Sequence, residues 1–385
     1  MKFLLGVLFW IAAALLIYSY IVYPMLMLWI ARRGQKKAML SGKLERAALP
    51  TVVVLVAAFN EEKHIAARIE NLLQQDYPED KFRIMIGSDG SSDKTVELAR
   101  RIVDARLRVQ DFTVNRGKAS VLNDLAGQAT ADILVFTDAN TVFRRDTTRQ
   151  LVMAFDESTG AVCGDLVLEK QREGSNQDHR YWNVERRLKA AESMIGGLLG
   201  ANGGVYAIRR NLFRPLRPDT ICDDFVIAMN IAADGWGLKY VPAAVAYEET
   251  PTDVISEFHR RVRIGIGNYQ ALFRHPRYLF SGSLALSFTY FSHKVLRWLT
   301  PHLLISMLVC SFLLLSDPFY QGLTVLQLTG YVGAVLVFQT RNRISWPAVV
   351  RAGLFFAVLN LAFLVGFKRF VSGTYGGSWR RTERA

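Results

Sequence analysis

The run TVVVLVAA at residues 51–58 decides the fold class that we expect for this chain. It is short, continuous and rich in β-branched residues, a pattern typical of a strand buried on both faces of a parallel sheet. Three further strands are predicted along the chain: FRIMIGS (82–88), LRVQDF (107–112) and DILVFT (132–137). Helical patterns lie between them, at 61–75, 91–105 and 117–129. This alternation of strand and helix predicts a doubly wound α/β sheet.

Polar segments follow three of the predicted strands, where ligands of such sheets bind. They are Phe59-Asn60-Glu61-Glu62, Ser88-Asp89-Gly90-Ser91-Ser92-Asp93 and Asp138-Ala139-Asn140. Each alone fits ordinary turn or cap chemistry. Together they would repel one another unless a cation or hydrogen-bond donors compensate. Because alternate side chains of a strand point the same way, Asp138 and Asn140 could offer two oxygen ligands to one divalent cation.

The segment Arg116-Gly117-Lys118 opens the helix before the fourth strand. A helix N-terminus next to a lysine is a suitable place for a phosphate group. A nucleotide diphosphate bound with a divalent metal would therefore satisfy the acidic and the basic groups at this edge together.

The motifs AAFNEE, SDGSSDKT, NRGKASVLN and FTDANT, in this order and spacing, resemble glycosyltransferase family 2. The resemblance implies a GT-A fold, with a doubly wound mixed sheet that binds a nucleotide sugar. The resemblance covers about residues 50–275, and the flanking apolar segments resemble the membrane-bound branch with cellulose, chitin and hyaluronan synthases. It implies an inverting enzyme that moves a sugar from a nucleotide-sugar donor, expected to be a UDP-sugar. The implied acceptor is a growing polysaccharide or a lipid-linked glycan.

The resemblance also implies roles for residues at the sheet edge. Asp89 would meet the nucleotide base with Glu62 near it, and Lys118 would lie near the diphosphate. Asp138 and Asn140 would hold Mg²⁺ or Mn²⁺ in the family's metal motif, which is usually Asp-x-Asp. An amide oxygen can coordinate either ion but brings no charge, so we expect weaker metal binding in the absence of donor.

Two later segments extend the predicted site. GANGGVYAIRR (200–210) could be a hairpin or a close-packed turn. The resemblance implies an acceptor-side loop in which Gly203 and Gly204 let a sugar approach the backbone. Asp223 and Asp224 open a predicted helix where one aspartate would suffice as a cap. The family has a Glu-Asp pair there, which makes Asp224 the implied general base and places Asp223 beside it.

The segment HRRVRIGIGNYQAL (259–272) is predicted to be helical. Its arginines could simply form a face towards solvent or lipid headgroups. The resemblance aligns Arg263 with the arginine of a Gln-x-x-Arg-Trp motif that helps to hold the diphosphate. Arg260 replaces the glutamine of that motif, and Ile264 replaces the tryptophan. Since that tryptophan stacks on the acceptor sugar in polymerising members, processive synthesis is a weaker inference than glycosyl transfer.

Apolar segments at both ends predict a multi-pass protein of the inner membrane. Residues 1–31 carry an uncharged run long enough to span a bilayer. A signal peptide fits poorly, because the run is too long and lacks a cleavage site. The basic cluster Arg32 to Lys37 places the following domain, 50–275, in the cytoplasm.

The C-terminal third is predicted as an amphipathic interfacial helix over 281–300, transmembrane helices within 301–367 and a basic cytoplasmic tail over 368–385. Three candidate spans lie in the second of these regions: 301–316, 320–338 and 348–367. Three crossings would put the tail outside, whereas its charge favours the cytoplasm. We therefore expect one of these segments to be re-entrant or interfacial.

The net charge of +13 suits contact with an anionic leaflet or with nucleic acid. Its basic residues are scattered and flank apolar segments, so we expect membrane lipids and no nucleic acid as partners. Three separate cysteines form neither a disulfide framework nor a metal spacing. Two alternative functions remain: a non-processive glycolipid glycosyltransferase, and a non-catalytic GT-A subunit of a polysaccharide export complex. In either case, other subunits of a polysaccharide assembly complex are candidate partners.

Overall fold

The computed structural model describes residues 1–34, 49–169, 176–249, 254–281, 283–341 and 343–376. Lys36 and Lys37 of the predicted basic cluster, and the tail over 377–385, lie outside these ranges. The strands are β1 (Val52–Ala58), β2 (Phe82–Asp89), β3 (Leu107–Phe112), β4 (Ile133–Asp138), β5 (Thr141–Phe143), β6 (Thr159–Glu169), β7 (Tyr206–Arg209) and β8 (Gly237–Glu249). They form one eight-stranded sheet in the order β3-β2-β1-β4-β7-β6-β8-β5.

Helices surround this sheet and extend from it at both ends of the chain. They are α1 (Lys2–Ile17), α2 (Tyr23–Gly34), α3 (Ile65–Leu73), α4 (Thr95–Arg101), α5 (Lys118–Gln128), α6 (Thr147–Met153), α7 (Asn176–Met194), α8 (Asp223–Ala233), α9 (Val254–Arg274), α10 (Leu284–Thr289), α11 (Leu296–Leu313), α12 (Pro318–Thr340) and α13 (Ala348–Val371). Each predicted helix of the first half of the domain is present, although shorter than its sequence pattern.

Strand β1 is central because both of its faces are covered. It pairs in parallel with β2 on one side and with β4 on the other, and all seven of its residues are buried. Alternate side chains enter opposite cores: Leu55 packs in the core that includes α5 and α8, and Val54 in the core that includes α3. The predicted parallel half of the sheet is therefore present.

The other half of the sheet is mixed rather than parallel. Strand β7 runs antiparallel to both β4 and β6, β6 runs parallel to β8, and β5 closes the edge antiparallel to β8. In the parallel half, the register pairs Ala57 with Asp138 and Ala58 with Ser88, so the polar segments after β1, β2 and β4 meet at one edge. This edge is where the sequence predicts the site.

Four helical segments are long and apolar enough to cross a membrane, judged by length and composition. They are Lys2–Arg33, Leu284–Leu313, Pro318–Thr340 and Ala348–Val371. The first two each contain a π-helical stretch, at Tyr18–Val22 and Tyr290–Val295. The structure does not separate an interfacial helix over 281–300 from a span over 301–316, because residues 284–313 form one continuous helix.

A buried network of charged groups explains why polar residues occur in that continuous helix. His293 contacts Glu192 of α7 at 2.5 Å and Glu185 at 3.2 Å, and Arg297 donates to Glu185 at 2.6 Å. The hydroxyl of Tyr23 in α2 also donates to Glu192, at 2.7 Å. His293 and Arg297, two of the residues that give this segment its amphipathic pattern, are therefore paired with carboxylates of α7.

We expect Glu192→Ala to lower the stability of the protein markedly. Glu192 is 1% exposed, and its removal leaves the Tyr23 hydroxyl and the His293 ring without their acceptor. Breaking a buried charged pair in this way costs about 3–5 kcal/mol. Thermal unfolding of the purified protein in lipid nanodiscs checks this, with the exposed Glu70→Ala in α3 as the control. Equal melting temperatures for the two variants would contradict a stabilising role for the network.

Candidate active site

Four of the predicted site residues meet at the carboxyl edge of the sheet. Asp138 ends β4, Asp223 and Asp224 form the first turn of α8, and Lys118 begins α5. The Lys118 ammonium lies 2.9 Å from Asp138 Oδ1 and 3.2 Å from Asp223 Oδ2. One residue predicted for the metal, one for the diphosphate and the predicted aspartate pair thus form one cluster, although they come from three separate parts of the sequence.

Gly203 keeps open the space between two of these carboxylates. A Cβ atom at this position would lie 3.3 Å from Asp224 Oδ2 and 3.7 Å from Asp138 Oδ2. Gly204 is held more tightly: its carbonyl accepts from the Thr137 hydroxyl at 2.7 Å, and a Cβ atom there would lie 3.0 Å from Thr141 Oγ1. The pair therefore brings bare backbone up to the acidic cluster, as an acceptor-side loop requires.

The electrostatics of the cluster follow from its three carboxylates and one ammonium. Burial raises the pKa of Asp224, the neighbouring charge of Asp223 adds to this, Lys118 opposes it, and the result is about 6. Burial alone would lower the pKa of Lys118, but the charges of Asp138 and Asp223 outweigh it and hold that pKa above its usual value. Asp224 therefore changes charge near neutral pH while Lys118 stays protonated.

Asp89 and Glu62 fasten loops around the cluster. Asp89 is fully buried, and its two oxygens accept from the backbone N–H groups of Arg116 and Gly117 at 2.9 and 2.8 Å. This fixes the turn that presents Lys118. Glu62 is exposed and accepts from the Lys94 backbone N–H at 3.2 Å. Contact of either residue with a nucleotide base stays a prediction.

Asn140 lies beside a carboxylate that the sequence motifs do not indicate. Its amide nitrogen donates to Glu248 of β8 at 3.4 Å. Across the described ranges, no three His, Cys, Asp or Glu side chains are arranged to hold a metal ion by themselves. An ion at Asp138 and Asn140 would need further oxygen ligands, which a donor diphosphate and water can supply. The residues therefore fit a metal that is shared with the donor.

Arg68 is a second residue that sequence reasoning missed. It lies in α3, is 2% exposed and donates to the Thr137 hydroxyl at 2.7 Å. Thr137 is the residue directly before Asp138 in the chain. Its guanidinium also lies over the Phe143 ring at 4.3 Å. Burial lowers the pKa of Arg68 to about 9 and Asp138 opposes this, so a positive charge remains beneath the cluster at neutral pH.

The arginines of α9 divide into two groups. Arg260 and Arg261 both pair with Glu257. Arg263 is exposed and, within the described part of the chain, forms no ion pair with Asp223 or Asp224. Burial and the charge of Asp224 raise the pKa of the Cys222 thiol, and the charge of Arg263 opposes this. Arg263 thus acts on the segment that leads into the aspartate pair.

Comparison with known proteins identifies the type of domain that carries these residues. The sequence model described as Glycosyl transferase family 2 matches residues 53–216. The chain carries a family 2 glycosyltransferase domain. The matched region contains Lys118, Asp138 and Gly203, and it ends shortly before Asp223 and Asp224. The resemblance stated from the sequence motifs is thereby confirmed.

Relatives and a solved structure extend the comparison beyond that region. The poly-beta-1,6-N-acetyl-D-glucosamine synthase of Staphylococcus epidermidis is 26% identical over 243 residues, which are 60% of this chain and 58% of that protein. The protein of the same name from Staphylococcus aureus (strain COL) is 27% identical over 234 residues, 59% of this chain and 56% of that protein. This chain thus matches less than two thirds of the length of either relative.

The mannosyltransferase PcManGT from Pyrobaculum calidifontis, solved in complex with GDP-Man and Mn²⁺, is 23% identical to this chain. It superposes with a TM-score of 0.71 over 94% of this chain and 99% of its own. This likeness concerns the fold, which is the GT-A type of mixed sheet. The predicted fold class, with apolar helices at both termini that are long enough to span a membrane, is confirmed.

Lys118→Met should destabilise the protein most strongly near neutral pH, because Asp138 and Asp223 lose their shared cation. The loss should be about 1–3 kcal/mol, less than for a fully buried pair because Lys118 and Asp138 are partly exposed. A raised lysine pKa contributes stability at every pH below its ordinary value of about 10.4. Burial and Asp223 raise the pKa of Asp224, and the variant lacks the opposing charge of Lys118, so Asp224 takes up a proton as the pH falls and this relieves repulsion in the variant.

Melting temperatures measured between about pH 5 and 8 check this expectation. The exposed Lys63→Met is the matched control, because it removes the same charge away from the cluster. A deficit that grows as the pH falls would contradict the assigned charge balance.

Proposed function

We propose that this protein is an inverting glycosyltransferase that moves a sugar from a nucleotide-sugar donor to a growing polysaccharide or a lipid-linked glycan. The observation that carries the proposal is the cluster of Asp138, Asp223, Asp224 and Lys118 around the bare backbone of Gly203. This arrangement offers a base, a cation for phosphate and space for an acceptor within one site. The donor-bound structural neighbour, a mannosyltransferase with GDP-Man, supports a nucleotide-sugar donor.

In the proposed reaction, the oxygen of the acceptor hydroxyl attacks the anomeric carbon of the donor sugar. Asp224 accepts the proton of that hydroxyl at the same time. The bond from that carbon to the donor diphosphate breaks on the opposite side, which inverts the configuration. Lys118 and the exposed Arg263 would hold the departing diphosphate by charge. A carboxylate with a pKa of about 6 suits this role, because it is ionised at neutral pH yet more basic than an ordinary aspartate.

A divalent ion, Mg²⁺ or Mn²⁺, would be held by Asp138 and Asn140 together with the donor. When bound, it would stabilise negative charge on the diphosphate as the sugar departs. The Mn²⁺ in the neighbouring mannosyltransferase supports this proposal. Because Asn140 contributes an amide in place of a second carboxylate, the ion should depend on the donor for part of its coordination.

Polymer synthesis is the first candidate for the acceptor reaction, and single addition is the second. The relatives named poly-beta-1,6-N-acetyl-D-glucosamine synthase support a polysaccharide product. Ile264, at the position where polymerising members have a tryptophan, favours addition of one sugar to a lipid acceptor, since it offers no ring for stacking on a sugar. The size of the product separates the two candidates.

Contacts between α9 and the end of α13 support the proposal that the domain and the tail lie on the same, cytoplasmic side of the membrane. Arg274 of α9 donates to the Tyr375 hydroxyl at 3.0 Å, and Phe370 stacks on Phe273 at 5.5 Å between ring centroids. An even number of crossings must therefore separate α9 from Tyr375. One of the three C-terminal candidate helices would then not cross the inner membrane, as the charge of the tail implies.

Asp224→Asn should abolish turnover while leaving donor binding intact. Loss of a general base lowers the rate by about 100- to 10,000-fold, whereas the diphosphate contacts remain. Nucleotide release is measured in lipid nanodiscs with a panel of nucleotide sugars and Mn²⁺, and donor binding is measured on the same samples. In the wild type, release should fall as the pH drops through about 6, because Asp224 becomes protonated.

The matched control is Asp234→Asn, which removes a carboxylate just after the other end of α8, where it pairs with Arg277. Normal turnover by Asp224→Asn would show that another group is the base. Donor binding by the wild type without release of nucleotide would instead favour a non-catalytic subunit.

Asp138→Ala should weaken metal-dependent nucleotide binding, because it removes the charged ligand of the proposed ion. Asn140→Asp should act in the opposite direction and tighten Mn²⁺ binding in the absence of donor. It adds a second carboxylate to that of Asp138, and Glu248 lies next to the substituted position. Mn²⁺ titration followed by electron paramagnetic resonance compares both variants with the wild type. Unchanged Mn²⁺ affinity in both would remove the metal role from this motif.

A further inference from the structure

The segment that leads into the aspartate pair is held along one face of α9. Gln270 donates from its amide nitrogen to the Asp219 carbonyl at 2.9 Å and accepts from the Ile221 backbone N–H at 3.2 Å. Arg274 forms two hydrogen bonds with the Asp219 carboxylate, at 3.0 and 2.6 Å. The backbone and the side chain of this segment are therefore both fastened to the helix.

Gly267 continues the same face one turn closer to the site. A Cβ atom on Gly267 would lie 2.5 Å from Cys222 Sγ and 3.1 Å from the Cys222 nitrogen. The bare backbone of α9 thus touches the residue directly before Asp223. Positions 263, 267, 270 and 274 follow the helical spacing of three and four residues, so Arg263 belongs to this face as well.

The opposite side of α9 is held by α13. A Cβ atom on Gly366 of α13 would lie 3.0 Å from the Val262 carbonyl oxygen and 3.2 Å from the Gly265 carbonyl carbon. Gly265 itself has more room, since a Cβ atom there would meet Phe363 only at 3.5 Å. Helix α9 is therefore confined between α13 and the Cys222 segment, and it has little freedom to shift towards either.

We infer that Gly267 is a positioning residue that sets the distance between the base Asp224 and the diphosphate-binding Arg263. This inference rests on the proposed function. One rigid helix carries Arg263 and, one turn later, supports the segment that ends in Asp224. A side chain at position 267 would separate the two without touching either reacting group. Displacement of about 1 Å between reacting groups can cost about 100-fold in rate.

The test compares Gly267→Ala with Gly265→Ala in nanodiscs, by nucleotide release with the donor that the wild type uses. Both changes improve intrinsic helix propensity equally, and only the first meets Cys222. We expect Gly267→Ala to lower kcat by about tenfold or more with little change in donor KM, and Gly265→Ala to stay close to wild type. Gly267→Ala should also melt somewhat below Gly265→Ala, because its methyl group overpacks the contact with Cys222, so kcat is measured well below both melting temperatures.

Second-site rescue separates positioning from general damage. Cys222→Ala removes the sulfur that the new methyl group would meet, so the double variant Cys222→Ala with Gly267→Ala should recover most of the lost kcat. Equal effects of the two glycine substitutions, or no recovery in the double variant, would overturn the inference while the proposed function stands.

A wild type that releases no nucleotide from any donor would overturn the proposed function and the positioning of a base with it. The contact itself has an independent readout. Gly267→Cys, with Cys163 and Cys310 replaced by alanine, should form a disulfide with Cys222 on oxidation, and Gly265→Cys in the same background should not. Peptide mass spectrometry detects the bond. Its absence at position 267 would show that α9 does not hold this segment, whatever the protein catalyses.

Discussion

Three carboxylates that share one ammonium form the constraint on which the rest of the site depends. Asp138, Asp223 and Asp224 lie around Lys118 in a partly buried place, where like charges interact strongly. Even with the Arg68 guanidinium beneath it, the site holds fewer positive than negative charges, and it can gain positive charge in two ways. Asp224 can take up a proton, which its raised pKa reflects, or a divalent cation can enter at Asp138. Either a bound cation or a proton on Asp224 would reduce the repulsion among the three carboxylates. A metal that arrives with the donor would therefore lower the tendency of Asp224 to take up a proton and favour its ionised form.

The parallel half of the fold could be predicted from sequence because its information is local. Strand β1 is buried on both faces, and a continuous apolar run indicates this directly. The mixed half could not be predicted in the same way. Strand β8 is half-buried along much of its length and pairs with β5 and β6, about a hundred and about eighty residues earlier in the chain. Its pattern depends on those distant partners and not on its own sequence.

The same reason explains why the boundary expected near residue 300 is absent from the continuous helix over residues 284–313. His293 and Arg297 give this stretch an amphipathic pattern, which predicted a helix lying at the interface. In the structure their charges are paired with Glu185 and Glu192 of α7, which lie about a hundred residues earlier in the chain.

The residues of the site also divide into those that the sequence indicates and those that it does not. Lys118, Asp138 and Asp224 stand in recognisable motifs, whereas Arg68 looks like a solvent-facing helical arginine until Thr137 and Phe143 are seen to enclose it.

The α/β domain is attached to the apolar helices at two places, and each attachment leads towards a different part of the acidic cluster. On one side, α7 is fastened by Tyr23 and His293, and its Lys189 donates to Asn202, the residue before Gly203. On the other side, α13 packs closely on α9, which touches the residue before Asp223. The Gly203 segment and the proposed base Asp224 are thus each one contact away from a helix that packs against the candidate membrane spans. For an enzyme whose acceptor is attached to a membrane, such attachments fix the height of the site above the bilayer. A flexible linker would leave that height free, and the acceptor hydroxyl would then meet Asp224 only in a fraction of encounters.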